Sequence, residues 1–393
     1  MASIPRTRAS AGPALFSCGF RPFFLLGAIQ AGLAMLLWVP AHLGAIALPT
    51  AFSPLDWHVH EMLYGFVPAV ATGFLLTAIP NWTGRLPLQG APLAGLVVAW
   101  LAGRVAVAAS ATIGWQAAMA VDVLFLALVA AACAREIVAG RNWRNLKVLA
   151  PLVLLGVGNA VFHLEAGLAG AAEHGPRLGI AATILLVMLI GGRIVPSFTR
   201  NWLARENPGR LPAPFGRFDA VSLIAAVGAL ALWIAAPEAA VTGAALILAG
   251  LGQAARLARW AGDRTAREPL VAILHAAYAF VPLGFLLVGL AAFGLVVPSA
   301  GIHAWTGGAV GAMTLAVMTR ATRGHTGRPL VADLGTAFLY GLVIAGALAR
   351  IAASLAPGHA VALLHLGGAA FAAAFLGFAL VYGPLLVRPR RAA

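Results

Sequence analysis

Long apolar stretches recur along the whole chain and are separated by short segments rich in proline, glycine and arginine. A bilayer core about 30 Å thick needs roughly 20 apolar residues per helix. The pattern predicts twelve helices that cross a membrane, with several ends marked by prolines and glycines. Their predicted bounds are residues 22–40, 61–80, 91–109, 114–134, 148–168, 177–196, 218–236, 240–258, 270–295, 302–320, 333–355 and 361–386. We therefore expect an all-α integral membrane protein that forms one polytopic membrane domain over residues 1–393.

The composition agrees with a membrane protein, since 61% of the 393 residues are hydrophobic and 10% are charged. Soluble domains carry roughly 25% charged residues. The two cysteines, Cys18 and Cys133, lie far apart in the sequence, which excludes a disulfide framework. The motif Cys-x-x-Cys-His is absent, and this excludes a covalently attached c-type haem.

The basic residues predict the orientation of the chain. Of its 26 lysines and arginines, all but Arg104, Arg177 and Arg350 lie in the head, in the tail, or in or beside the loops after even-numbered predicted helices. The positive-inside rule then places both termini in the cytoplasm, with the protein in the inner membrane. The head, residues 1–11, is interpreted as a cytoplasmic tail. Because the basic residues form short clusters rather than one continuous face, the net charge of +14 does not indicate nucleic-acid binding.

The chain also contains a faint internal repeat. Residues 60–85 align without gaps with residues 303–328, and both stretches begin with histidine and end in Thr-Gly-Arg. Gly65 matches Gly308 in this alignment. The spacing suggests three four-helix units, although small-residue membrane helices also resemble each other by chance.

Histidines are the most informative residues, because polar side chains at membrane depth are costly and are usually functional. Two of the ten lie toward the predicted cytoplasmic side, His275 in the ninth helix and His325 after the tenth. Four others lie at predicted periplasmic helix ends: His58, His60, His163 and His303. We predict that these four gather at one metal site near the outer leaflet. The alternative interpretation is that they are interfacial caps.

The densest stretch is Trp57-His58-Val59-His60-Glu61-Met62. Imidazole and thioether groups suit copper, and imidazole also suits haem iron. In a helix, His58 and Met62 share one face, while His60 points about 200° away from His58. The two histidines can therefore serve different metals, or one of them can be structural.

Two arginines within predicted helices are candidates for binding haem propionates, Arg104 and Arg350. Arg104 faces Asp122 across a predicted hairpin, so a mutual ion pair is the alternative for this residue. Tyr278 follows His275 by three residues. His275 is either a ligand with Tyr278 as its hydrogen-bonding partner, which makes Tyr278 a cofactor-binding candidate, or a buried histidine satisfied across helices.

Arginine-rich runs leave the predicted sixth and tenth helices at Arg200 and Arg320. These two residues are cofactor-binding candidates. Their alternative roles are setting the membrane orientation and capping helix ends. A P-loop, a Gly-x-Gly-x-x-Gly motif, a paired-carboxylate site and a nucleophile triad are all absent from the sequence.

Taken together, several motifs resemble the NnrS family over nearly the whole chain. They are Phe20-Arg21-Pro22-Phe23-Phe24, the Trp57 to Met62 stretch, Gly73 through Arg85, Pro196-Ser197-Phe198-Thr199-Arg200-Asn201, and Met318-Thr319-Arg320 through Arg328. The resemblance implies a bacterial membrane protein that contains haem and copper and is linked to nitric oxide, denitrification and tolerance of nitrosative stress. The family's histidines fall on His58, His60, His163, His275, His303 and His325.

Three functions remain open from the sequence. The first is a haem b and copper protein that binds or responds to nitric oxide; if it is an enzyme, it is a redox protein acting on nitric oxide. The second is a b-type cytochrome that takes electrons from quinol or another donor. The third is a metal or small-solute transporter. A proton-coupled carrier usually needs several carboxylates within the membrane, and Asp122 is the only clear one in a predicted helix. Expected partners are the lipid bilayer and nitric oxide.

Overall fold

A computed structural model describes residues 12–390 of the chain, so the head at residues 1–11 and Arg391 lie outside the described residues. The described part is helical and contains no strand, which confirms the all-α multi-pass class. Its long helices are α1 (Phe20–His42), α2 (Pro54–Thr83), α3 (Ala91–Ala108), α4 (Trp115–Ala139), α5 (Leu149–Ala169), α6 (His174–Glu206), α7 (Arg217–Ala235), α8 (Ala240–Ala258), α9 (Pro269–Ala291), α10 (residues 298–325), α11 (Leu334–Leu355) and α12 (Ala360–Val387).

Eleven of these helices are long and apolar enough to cross a membrane in the described part of the chain. The exception is α10, which is a continuous helix but is less apolar near its start. His303, Trp305, Thr306 and three glycines lie there. A count of twelve spans and the placement of both termini in the cytoplasm therefore stay predictions.

Three prolines that were expected near helix ends lie inside helices instead: Pro40, Pro80 and Pro196. The largest difference is in α6, which was predicted to end at residue 196 and continues to Glu206. Helices in membranes tolerate proline where neighbouring groups satisfy the freed backbone carbonyl. The stretch after Pro196 is polar and rich in arginine, so hydropathy alone does not reveal that it is helical.

A π-helical segment interrupts each of α2, α6 and α10, at Glu61–Phe66, Val187–Gly191 and Ala304–Gly311. In α2 and α10 this segment begins directly after the aligned histidines, His60 and His303. Single π turns inside α-helices occur frequently at functional sites. Their recurrence in every fourth helix supports the predicted four-helix repeat.

The described chain divides into two compact units. Unit 1 comprises the described parts of Met1–Ala182, Ala321–Pro329 and Phe375–Ala393, and unit 2 comprises Thr183–Arg320 and Leu330–Ala374. Within unit 1, α1 packs on α2, and α4 packs on both α3 and α5. Within unit 2, α8 packs between α7 and α9, and α9 and α11 both contact the first half of α10. The single polytopic domain stays a prediction.

Arg21 ties the start of α1 to the end of α12 within unit 1. Its buried guanidinium donates hydrogen bonds to the carbonyl oxygens of Leu385, Leu386 and Arg388, at 3.3, 2.8 and 2.7 Å. Carbonyls at a helix C-terminus lack partners within the helix and carry partial negative charge, so a cation stabilises them.

Candidate metal centre

The start of α2 positions the first ligand candidates. Ser53 caps this helix by accepting a hydrogen bond from the backbone N–H of Asp56, and Pro54 occupies the first turn. Gly65 lies in the π-helical segment that follows His60, and its carbonyl accepts a hydrogen bond of 2.9 Å from the Trp100 indole of α3. This hydrogen bond joins α2 to α3.

His60, His163 and Asp122 meet in the interior of unit 1. The Nε2 atoms of the two histidines lie 3.1 and 3.2 Å from the same oxygen of Asp122. Both imidazoles have no solvent-exposed surface, and Asp122 is 3% exposed. One ligand atom from each of the three side chains lies within 4.8 Å of the others, so the group can hold a metal ion.

Asn159 and Arg104 orient the Asp122 carboxylate. Asn159 donates a 2.7 Å hydrogen bond to the oxygen that faces the histidines, and its own amide oxygen lies 3.0 Å from Nε2 of His60. The other Asp122 oxygen accepts a hydrogen bond from Arg104. The predicted pairing of Arg104 with Asp122 is therefore present, and it belongs to a larger network.

That network continues from Arg104 to Glu61 and Gln30. Arg104 donates a 2.5 Å hydrogen bond to one Glu61 oxygen, and Gln30 of α1 donates one of 2.8 Å to the other. Four helices, α1 to α4, thus contribute to one buried polar network, and α5 adds Asn159 and His163. Networks of this kind are stable when their members are hydrogen-bonded and costly when they are not.

Aromatic rings enclose the two imidazoles. The Phe52 ring centroid is 5.3 Å from the rings of both His60 and His163, and the Phe162 ring is 5.2 Å from His60. Tyr64 lies 5.6 Å from His60 and donates its hydroxyl hydrogen bond to the carbonyl of Gly175 instead. Aromatic rings therefore form a large part of the surroundings of the two imidazoles.

The remaining ring nitrogens of the two histidines lack hydrogen bonds. With both Nε2 atoms directed at Asp122, Nδ1 of His60 and Nδ1 of His163 are buried without a hydrogen-bond partner. His60 Nδ1 has Glu61 at 3.5 Å, which is too long for a hydrogen bond. Such unsatisfied buried atoms are rare in native structures.

His58 lies apart from this group, as the helical spacing of the two histidines predicted. Its ring stacks on Trp38 of α1 at 3.9 Å between centroids, and Trp38 also stacks on His42 at 5.0 Å. Of the four histidines predicted to form a periplasmic cluster, His60 and His163 lie together in unit 1. His58 contacts the neighbouring aromatic stack.

His303 belongs to unit 2, where both of its ring nitrogens are engaged. Its Nδ1–H donates to the Ser299 carbonyl at 2.7 Å, and its Nε2 accepts a hydrogen bond of 2.7 Å from Arg350. The two residues predicted as separate metal and propionate ligands therefore bind each other.

His275 and Tyr278 have different partners, although they share helix α9. The Nε2 atom of His275 lies 2.8 Å from the Thr199 hydroxyl, and its unpaired Nδ1 lies against the backbone at Gly262. The Tyr278 hydroxyl donates to Gln253 at 2.8 Å and accepts from Arg256, which in turn donates to Asp219. Tyr278 thus belongs to a buried network with Gln253 and Arg256 of α8, and His275 bonds across helices to Thr199 of α6.

The other candidates make structural contacts. The His325 ring packs against Phe20 at 5.3 Å, and Arg320 lies 4.0 Å above the Phe198 ring. Arg200 donates a hydrogen bond of 2.6 Å to the carbonyl of Pro212 in the loop after α6.

Comparison with known proteins bears on the whole chain. A family model described as NnrS protein matches residues 14–390. No curated protein matches the sequence.

Proposed function

Because the chain belongs to the NnrS family, we propose that it binds nitric oxide in a bacterial inner membrane, uses copper and haem b, and supports denitrification or tolerance of nitrosative stress. The observation that carries the proposal is the buried group of His60, His163 and Asp122. A quinol or another membrane electron donor stays a proposed partner.

Copper fits the donor atoms of this group. Imidazole nitrogens suit copper, and Asp122 adds one oxygen. Two ligand atoms bound at about 2.0–2.1 Å to one ion with a tetrahedral angle lie about 3.3 Å apart. The distances of 3.1 and 3.2 Å from Asp122 to the two Nε2 atoms are close to this value. When bound, copper supplies a redox-active site that accepts a small diatomic ligand.

The protein's own residues prepare the site for a small neutral ligand. Arg104 and Asn159 fix the Asp122 carboxylate, and such outer partners set the orientation and basicity of the ligands. Phe52 and Phe162 keep water away from the imidazoles. Nitric oxide is uncharged and can reach this interior through lipid, whereas a charged or strongly hydrated molecule cannot.

The histidines differ in whether they have a ring nitrogen available for an axial bond to haem iron. His303 uses both ring nitrogens, and the Nδ1 face of His275 is closed by Gly262, so neither has room for an axial bond to a macrocycle in this arrangement. For His58 and His325 the aromatic contacts involve the ring faces, and an axial bond uses a ring nitrogen. We therefore propose His58 and His325 as the haem-ligand candidates.

The test replaces His60 and His163 separately with alanine and measures the copper content of the purified proteins. The matched control is His365→Ala, since His365 is exposed and bonds only to the carbonyl of its own helix at Val361. We expect both test variants to insert in the membrane and to lose copper, while the control keeps it. Optical spectra of the reduced proteins, recorded before and after exposure to nitric oxide, then show whether nitric-oxide binding is lost as well.

The proposal fails if both test variants retain full copper and bind nitric oxide as the wild type does. His60 and His163 would then be structural residues that stabilise Asp122.

A further inference from the structure

The metal centre is the group of His60, His163 and Asp122, and its net formal charge follows from the ionised side chains in its hydrogen-bond network. Asp122 and Glu61 are carboxylates that each accept a hydrogen bond from Arg104, and this is the only cation that contacts them in the described residues. The imidazoles of His60 and His163 must be neutral to bind a metal ion. Two carboxylates and one guanidinium leave the ligand set with a single negative charge.

The other nearby carboxylates are satisfied elsewhere. Glu165 accepts hydrogen bonds of 2.9 to 3.0 Å from the backbone N–H groups at residues 173–175, where α6 begins. Asp56 accepts one from the Ser53 hydroxyl at 2.8 Å. Neither joins the hydrogen bonds that link Glu61, Arg104 and Asp122.

Burial makes the charge balance decisive. His60 and His163 have no exposed surface, and Glu61 and Asp122 are 4% and 3% exposed. An uncompensated charge in such surroundings is far more costly than in water. A singly charged ion brings the centre to neutrality, whereas a doubly charged ion leaves a positive charge in the protein interior.

We infer that the centre selects its metal by valence and holds copper as Cu(I), with Arg104 as the residue that sets this preference. The inference rests on the proposed function, because it requires that metal binds at His60, His163 and Asp122. Arg104 acts through the carboxylates and is therefore a positioning residue that also fixes the net charge.

Charge-changing variants separate this inference from a merely structural role of Arg104. Arg104→Gln makes the ligand set doubly negative and should shift selectivity toward Zn(II) and Cu(II). Glu61→Gln makes the centre neutral and should weaken the binding of every cation, with the largest loss for divalent ions. The double variant R104Q/E61Q restores a single negative charge, and Arg104→Lys keeps it.

The experiment uses the full chain in nanodiscs, loaded anaerobically with Cu(I) under ascorbate or with Zn(II) or Cu(II). Metal content, competition between Cu(I) and Zn(II), and the electron paramagnetic resonance signal of Cu(II) are measured. We expect the wild type to hold one Cu(I) without a Cu(II) signal. In R104Q the ratio of Cu(I) to Zn(II) affinity should fall by at least about tenfold, since one buried charge at contact distance is worth that much. The double variant and R104K should behave like the wild type.

Two results would overturn the inference. One is a wild-type centre that prefers Zn(II) or Cu(II) to Cu(I). The other is an R104Q/E61Q double variant in which the ratio of Cu(I) to Zn(II) affinity is as low as in R104Q. If R104Q does not fold, the second result is an E61Q variant with lowered selectivity for Cu(I). If wild type and H60A/H163A carry the same metal at every loading, no ion occupies this centre, and the proposed function fails together with the inference.

Discussion

Phe52 separates the two buried imidazoles from the predicted periplasmic side. It ends a largely exposed loop after α1, yet its own side chain is 6% exposed. Ser110 holds this loop in place by bonding to the Thr50 hydroxyl at 3.0 Å and to the backbone N–H of Ala51 at 2.8 Å. The Phe52 ring therefore covers His60 and His163, and the hydrogen bonds of Ser110 to Thr50 and Ala51 hold the preceding residues in place.

Replacing Phe52 with alanine should open the centre to water-soluble reagents. We expect copper to leave the F52A protein faster than the wild type when a membrane-impermeant Cu(I) chelator is added to isolated membranes. The matched control is Phe338→Ala, because Phe338 of α11 belongs to unit 2 and is 66% exposed. Equal chelation rates in all three proteins would show that Phe52 does not limit access.

Sequence reasoning identified most of the polar residues at the centre because each interrupts an apolar helix. His60 and His163 were among the predicted ligands, and Arg104 and Asp122 were predicted to pair. Asn159 was missed, since a single asparagine is a weak signal in a membrane helix. Its position four residues before His163, on the same helical face, is the one pattern that indicated its role.

At the scale of helices, the close contact between α2 and α3 depends on Gly65. A Cβ atom at this position would lie 2.7 Å from the guanidinium of Arg104 and 3.0 Å from the amide nitrogen of Gln30. Gly65 lies within the π-helical segment of α2. The absence of a side chain there leaves room for the guanidinium of Arg104.

Gly65→Ala should displace Arg104 and leave buried carboxylates poorly compensated. Breaking a buried ion pair costs about 3–5 kcal/mol, so we expect a clearly lower unfolding temperature in detergent and a lower copper content. Gly95→Ala in α3 is the matched control, because nothing lies within 4 Å of a Cβ at Gly95. Alanine should stabilise that helix by about 0.5–1 kcal/mol. A G65A protein as stable and as metal-rich as G95A would contradict this account of the π turn.

Hydropathy predicted the helices but not their irregularities. Ten of the twelve predicted segments begin and end within about five residues of the observed helices, because the change from apolar to polar sequence is sharp there. The early part of α2 and the end of α6 were missed, since their polar residues resemble loops. The π-helical segments were not predictable either, because they arise from packing between helices and carry no periodic signal of their own.

The orientation of the whole molecule is testable with single cysteines. The natural thiols are first replaced with alanine; burial raises the pKa of the Cys18 thiol, which slows its labelling without abolishing it. Ala45, in the loop after α1, and Ala204, near the end of α6, are both exposed and tolerate cysteine. Since positive charge marks the cytoplasmic side, we expect an impermeant maleimide to label A45C on intact cells and A204C only after permeabilisation. The reverse pattern would invert the predicted topology.

The contact of Arg21 with the end of α12 has a consequence for biosynthesis. The chain leaves the ribosome from its amino end, so Arg21 is made first and the carbonyls that bind it are made last. Until α12 has been inserted, the guanidinium at the start of α1 has none of these acceptors. Unit 1 therefore gains this contact only after α12 has been made, and a chain that stops short of Leu385 leaves the Arg21 guanidinium without the carbonyls that bind it.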